Sequence, residues 1–221
     1  MEIVRFSHFT FTYPGASAPT LADVTLAVDA GQFVTLCGGS GSGKTTLLRC
    51  IKPTLAPHGA KAGEICFAGQ PTDALTQRTD CTEIGFVMQE PDAQIVTDKV
   101  WHELAFGLEN LGLPNAEIRA RVAETAAFFG IEGWFDRDVS TLSGGQKQLL
   151  NLAAVMTMRP SLLLLDEPTS RLDPIAAERF FDALVRINRE TGTAVILSEH
   201  RLDAAFAVSD RVILLDGILC F

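Results

Sequence analysis

Gly38-Gly39-Ser40-Gly41-Ser42-Gly43-Lys44-Thr45 has the G-x-x-x-x-G-K-T spacing of a phosphate-binding loop. Glycines there let successive backbone N–H groups turn toward a β-phosphate, and the helix expected to follow adds positive potential at its N-terminus. Lys44 would neutralise β/γ oxygens, Thr45 would place its hydroxyl on Mg²⁺, and Thr46 could reach the α-phosphate. A flexible Gly/Ser turn is the alternative, and the strand-before, helix-after context weighs against it. A second segment, Leu162-Leu163-Leu164-Leu165-Asp166-Glu167, reads as a buried strand ending in two acids. Such acids are costly unless cations or hydrogen bonds meet them, which a metal–nucleotide site supplies. Asp166 would hold Mg²⁺ through its water shell, and Glu167 would polarise an attacking water. In the third segment, Leu142-Ser143-Gly144-Gly145-Gln146, Ser143 can cap the following apolar helix while two glycines expose N–H groups. It would form a second phosphate cradle, and with only one phosphate loop in the chain, the cradle would serve a nucleotide held by another subunit.

The elements around these segments must bring them together. Residues 3–12 and 24–28 alternate apolar and polar side chains about Pro14-Gly15, which predicts paired antiparallel strands. A short apolar strand at 32–37 runs into the glycine loop, and 44–51 reads as helix. Further buried strands are expected at 64–68, 84–88, 162–166, 194–198 and 211–215, with a helix at 174–190, so the sheet should be largely parallel. From Gln89 to Leu142 the pattern becomes helical (97–111, then 115–129 after Gly112-Leu113-Pro114), and 148–158 reads as an apolar helix. Pro53 to Gly63 reads as a loose segment.

Length and charge bound the rest. At 221 residues one α/β domain with an inserted lobe fits, and two full domains do not. The balance of 18 Lys+Arg against 27 Asp+Glu leaves −9, the wrong sign for coating nucleic acid or anionic lipid by bulk charge. No apolar run approaches the ~18 residues of a membrane span, and Met1-Glu2-Ile3-Val4-Arg5-Phe6 lacks the basic start of a secretory signal. The five cysteines have no C-x-x-C pair, so reduced thiols and no zinc are expected.

On the phosphate loop, the strand ending in Asp166-Glu167 and the complete Leu-Ser-Gly-Gly-Gln segment, the chain resembles the nucleotide-binding subunit of ATP-binding-cassette transporters over residues 3–217. The resemblance implies a RecA-like P-loop NTPase core of α/β class, with an antiparallel β subdomain and an inserted α-helical subdomain. It implies a core of residues 1–88 and 160–221 and a helical subdomain of 89–159 within one domain. Tyr13 resembles the aromatic that stacks on adenine, Gln89 the glutamine that senses Mg²⁺ and the transmembrane partner, and His200 the switch histidine at the γ-phosphate. Each has a plainer reading: a core-packing tyrosine, a solvated strand end, a structural histidine. Ser170-Arg171-Leu172-Asp173 corresponds to the loop where two such subunits meet, so Arg171 and Asp173 would line that interface.

Two positions depart from the family. Arg171 replaces a small residue and would pair with a carboxylate opposite or contact phosphate; Leu149 stands where an arginine commonly follows the signature. The chain stops at Phe221 just after Asp216-Gly217, which suggests a trimmed piece or one half of a tandem. Gln89-Glu90-Pro91-Asp92-Ala93-Gln94 and Glu199-His200-Arg201-Leu202 resemble the energy-coupling-factor vitamin and metal uptake systems, although Asp92 could simply cap its turn. The expectation is an ATP hydrolase using ATP and Mg²⁺, paired with a second ATP-binding subunit. It would lie at the cytoplasmic face of the membrane and be held there only by a transmembrane partner, without nucleic acid. The alternatives are a soluble ABC-type ATPase acting on DNA or ribosomes and a regulatory nucleotide-binding module. Only 98 residues separate Gly43 from Leu142, with no sustained heptads, which disfavours the chromosome-maintenance form.

Overall fold

The computed structural model describes residues 1–200 and 202–216. Arg201, Gly217 and Phe221, named above, and Cys220, one of the five cysteines, lie outside the described residues. Strand β1 (Glu2–Thr12) pairs antiparallel with β2 (Leu21–Asp29), as the alternation predicts. Strand β3 (Phe33–Cys37) leads through the glycine loop into α1 (Lys44–Ile51). Next, β4 (Ala60–Phe67) pairs with the other side of β1 and with the short β5 (Gln70–Pro71), giving a four-stranded sheet ordered β2-β1-β4-β5.

The segment expected to be loose therefore opens with a short 3-10 turn at Pro53–Leu55 and becomes strand from Ala60 onward. It pairs through Thr12↔Ala60, Phe11↔Lys61 and Thr10↔Ala62, and the register then shifts before Ser7↔Glu64. Gly63 sits at that shift with φ 76, and a β-carbon there would lie 2.2 Å from the His8 carbonyl oxygen. Only glycine fits this bulge, and its Pro/Gly/Ala composition masks the strand in the sequence.

Helix α2 (Gln77–Glu83), unforeseen in the sequence, precedes β6 (Ile84–Val87). Then come α3 (Val100–Asn110), α4 (Asn115–Phe129), α5 (Gly144–Met156), β7 (Leu162–Asp166), α6 (Pro174–Thr191), β8 (Ala194–Ser198), α7 (Leu202–Val208) and β9 (Arg211–Leu214). Strands β6-β7-β8-β3-β9 form an all-parallel sheet. Strands β6, β7, β8 and β3 are buried at every position because both faces are covered, whereas the edge strand β9 buries only Ile213. Leu162 and Leu164 pack with α1 and the antiparallel sheet, whereas Leu163 and Leu165 pack with Phe180, Phe181 and Leu184 of α6. Helices α3, α4 and α5 close a separate apolar cluster around Leu104, Leu108, Val122 and Leu150. Among the described residues no helix is long and apolar enough to cross a membrane.

Parallel strands place their carboxyl ends on one edge. The ends of β3, β7 and β8 carry the glycine loop, Asp166-Glu167 and Ser198-Glu199-His200, and strand order puts β8 between the other two.

Candidate nucleotide site

The glycine loop is shaped by two positions that admit no side chain. Gly38 (φ 148) would drive a β-carbon to 2.2 Å from the Leu215 carbonyl oxygen and 2.8 Å from Ser42 Oγ. Gly43 (φ 98) is the N-cap of α1 and supplies no side-chain cap, so the first turn keeps N–H donors for an anion. Lys44 is buried and its ammonium spans the loop, donating to the carbonyls of Gly38 at 2.9 Å and Gly39 at 3.0 Å. Ser42 Oγ is buried without a hydrogen-bond partner. A buried orphan hydroxyl in a cradle of N–H groups suits a phosphate oxygen.

A cavity of about 330 Å³ opens over this loop, lined by Tyr13, Thr20, Ser40 to Thr46 and Glu167. Tyr13 Oη and Thr46 Oγ1 lie 3.0 Å apart, and the partly exposed tyrosine ring meets Phe11 edge-on. Tyr13 is thus anchored at its hydroxyl, with its ring at the cavity wall, where a flat base could stack.

Thr45 Oγ1 and Ser198 Oγ both donate to Asp166 Oδ1, at 2.9 and 3.0 Å. Asp166 is 6% exposed. A buried carboxylate beside a hydroxyl is a hard oxygen donor set that fits Mg²⁺, which keeps several waters and takes one or two protein ligands beside phosphate. Next to it, Glu167 stands in left-handed backbone (φ 46), its N–H donating to Ser198 Oγ at 3.0 Å. Its carboxylate meets His200 Nε2 at 2.8 Å and accepts from Gln89 Nε2 at 3.1 Å. Gln89 also donates to Ser170 Oγ at 3.3 Å.

Ser143 to Gln146 do not join this cavity. Ser143 caps α5 by accepting from Gln146 N–H at 3.3 Å, and Gln146 Oε1 accepts from Ser143 N–H at 2.9 Å, a complete capping box. Ser143, Gly145 and Gln146 line a different groove of about 580 Å³, shared with Asp173, Ile175 and Arg179 of α6. Asp173 caps α6 by accepting from Ala176 N–H at 2.9 Å. Arg171 pairs with Glu90 of its own chain at 2.7 Å, and Leu149 packs on the helical cluster. Asp92 makes no cap; it pairs with Lys147 at 2.5 Å.

Sequence reasoning missed several residues here. Ser198 bridges Asp166 and Glu167, and its place at the end of an apolar strand just before Glu199 could have signalled it. The loop after β6 is tied to α5 by Gln148 Nε2 to the Met88 carbonyl at 2.9 Å and Asn151 Nδ2 to the Pro91 carbonyl at 3.0 Å. Two fully buried amides three residues apart in an apolar helix are a readable signal; their partners, 60 residues upstream, are not. Gln94 folds the same loop on itself, accepting from Met88 N–H at 2.9 Å and donating to the Phe86 carbonyl at 3.0 Å.

Comparison with known proteins bears on the family and the fold. The ABC transporter family profile matches residues 21–170. A Bacillus cereus protein described as a putative ABC transporter ATP-binding protein is 47% identical over 213 residues, covering 96% of this chain and 38% of the relative. The chain thus spans less than two fifths of that relative's length. Among solved structures, cbiO1 from Clostridium perfringens, described as part of the ABC transporter complex cbiONQ, superposes with TM-score 0.90 at 30% identity, covering all of this chain and 87% of that one. A dimeric post-hydrolysis structure of the ATP-binding cassette MJ0796, bound to ADP and Pi, gives TM-score 0.83 at 27% identity, covering 98% and 96%. With the family profile matching well over half its length and the cassette fold extending through the described residues, the chain belongs to the ABC transporter family and carries its ATP-binding cassette, the family's ATPase fold.

Proposed function

We propose that this chain binds and hydrolyses Mg-ATP to power a membrane transporter of the energy-coupling-factor type that imports a vitamin or metal ion. The observation that carries the hydrolytic reading is the cluster at one sheet edge: Lys44 and the orphan Ser42 hydroxyl in the loop, Thr45 on Asp166, and Glu167 at the cavity wall. The loop N–H groups and Lys44 grip the β- and γ-phosphates, and Tyr13 stacks on the base. Thr45 and Asp166 hold Mg²⁺, which when bound draws negative charge from the phosphate oxygens. Glu167 takes the proton of a water whose oxygen bonds to the γ-phosphorus, while the bond to the β–γ bridging oxygen breaks and ADP leaves. Gln89 and His200 orient that centre.

The site is half of a composite. Ser143 to Gln146 stand away from the chain's own loop, which accords with their serving the nucleotide of a second cassette across an interface that includes Arg171 and Asp173. Residues 1–88 and 160–221 act as the core and 89–159 as a helical lobe. A membrane partner seats on the groove of about 630 Å³ between them, lined by Gln94, Val96, Phe106 and Asn151, and holds the chain at the cytoplasmic face. The likeness to cbiO1 and the Gln89–Gln94 loop support the subclass.

Calorimetric titration tests the site: Lys44→Ala should abolish measurable ATP binding, and affinity equal to the unaltered chain would overturn it. Glu167→Gln should bind ATP and sediment as a dimer in its presence; monomers alone would count against the composite site.

A further inference from the structure

Tyr13 meets the phosphate loop through its hydroxyl as well as through its ring. It follows directly on β1, and its turn is closed by the Ala16 N–H, which donates to the Tyr13 carbonyl at 3.1 Å. Fully buried Phe11 braces the ring edge-on, with centroids 4.9 Å apart and planes at 88°. At the far end of the ring, Oη lies 3.0 Å from Thr46 Oγ1, and among the described residues neither hydroxyl has another hydrogen-bond partner. The connection from β1 to β2 touches the loop a second time. A β-carbon on Gly43 would sit 2.9 Å from Leu21 Cδ2 and 3.1 Å from the Thr20 carbonyl oxygen. Both ends of that connection are therefore seated on the phosphate loop and the first turn of α1.

A hydroxyl carries one proton and two acceptor sites. A phenol is more acidic than an aliphatic alcohol and is the better donor, so the bond runs from the Tyr13 O–H to Thr46 Oγ1. That direction occupies an acceptor site of Thr46 and leaves its own proton free. Thr46 is 6% exposed and lies in the first turn of α1, bordering the cavity beside Lys44 and Thr45. A buried hydroxyl with an unspent proton needs an acceptor, and a phosphate oxygen in this cradle supplies one. Each bond in such a chain polarises the next, so a donor behind Thr46 strengthens the bond in front of it. The reverse direction would spend the Thr46 proton on the phenol and leave the anion without that donor.

We propose that the Tyr13 hydroxyl is a positioning group for the α-phosphate: by donating to Thr46 it aims the Thr46 proton at that phosphate. This deepens the nucleotide-site reading above, on which it rests. One side chain then serves both ends of a nucleoside 5′-phosphate, the base against its ring and the α-phosphate through its hydroxyl. The ring and the relay are separable, because a phenylalanine keeps the first and loses the second.

The test compares Mg-ADP with Mg-ribose 5-diphosphate, which keeps both phosphates and has no base. Affinities are read by displacement of a fluorescent ADP from the unaltered chain, Tyr13→Phe, Thr46→Val and the double variant; Thr46→Ala replaces the valine variant should that fold poorly. Tyr13→Phe should weaken both ligands by the same factor, about threefold to tenfold, the size of one lost hydrogen bond. Thr46→Val should weaken both by about tenfold or more, because it removes the donor itself, and adding Tyr13→Phe to it should cost nothing further. Where ribose 5-diphosphate binds too weakly to displace the probe, the phosphorus-31 signals of bound ADP decide: Tyr13→Phe should move the α signal and leave the β signal in place. Unchanged ADP affinity in Tyr13→Phe, a loss confined to the ligand with a base, an unmoved α signal, or losses that multiply in the double variant would each overturn the relay. If the unaltered chain binds neither ligand, the nucleotide site itself fails; if it binds ADP and Tyr13→Phe binds it equally well, only the relay fails.

Discussion

A carboxylate that is 6% exposed at the tip of a five-residue apolar strand, met by two hydroxyls and by no cation among the described residues, bears a desolvation cost of several kcal/mol. On the proposed reading Asp166 retains that cost because a divalent cation and phosphate would sit beside it. This sets stability against function at one residue. Asp166→Asn keeps an oxygen to accept from Thr45 and Ser198 while removing the charge. Urea denaturation of the nucleotide-free variant should show stability unchanged or raised, by up to about 1–2 kcal/mol. Titration with ATP should show that Mg²⁺ no longer strengthens binding. A variant less stable than the unaltered chain, with its Mg²⁺ dependence intact, would show Asp166 to be structural. The burial of this acid was legible in the sequence because a run of four leucines ending in two acids violates the burial rule so openly. Ser198 was not, because one serine after an apolar strand acquires meaning only when β7 and β8 pair through Asp166↔Ser198.

Among elements, the two signature glycines and the bulge glycine of β4 look alike in composition and differ in what surrounds them. Gly144 has nothing within 4 Å of a built β-carbon and lies in the first turn of α5, whereas at Gly63 the β-carbon would collide with backbone at φ 76. Gly144→Ala should therefore leave stability within about 1 kcal/mol of the parent, because alanine favours helix. Gly63→Ala should cost about 2–3 kcal/mol by straining the bulge. Chemical denaturation of the two variants separates these outcomes, and nucleotide-driven dimerisation should fail in Gly144→Ala alone, which crowds the proposed cradle while the chain stays folded. The same contrast marks what periodicity could deliver. The parallel strands and α6 follow from apolar runs and spacing, and the first two strands from alternation that the β1–β2 register shifts interrupt. The start of β4 at Ala60 and the short helices α2 and α7 were missed, because pairing with β1 and packing on the sheet stabilise segments whose own composition is weak. The loop after β6 escaped for a related reason: Lys147, Gln148 and Asn151 all hold it, from one helix far along the chain.

At the scale of the whole molecule the telling fact is a separation. Lys44 to Thr46 and Glu167 border one cavity, while Ser143, Gly145 and Gln146 border another beside α6, so on the proposed reading a single copy presents two half-sites for a partner to complete. If two copies of this chain close head to tail, each completes the other, and inactivating variants on opposite halves become complementary. Lys44→Ala destroys the gripping half and leaves the signature turn whole; Ser143→Arg does the reverse by placing a long cation where the cradle should admit phosphate. Each variant alone should hydrolyse ATP no faster than background. Mixed in equal amounts, half the dimers pair one variant with the other, and each such pair owns one intact composite site and one doubly damaged site. Activity should therefore reappear at about a quarter of the parent rate if the sites turn over independently, and lower if they fire only together. An in-chain site would make the mixture as inactive as its components, because no exchange of partners could then join an intact loop to an intact signature. Rate measured against mixing ratio adds a second check: it should peak at equal proportions and fall symmetrically toward either pure variant, a shape that contamination by unaltered protein would not reproduce.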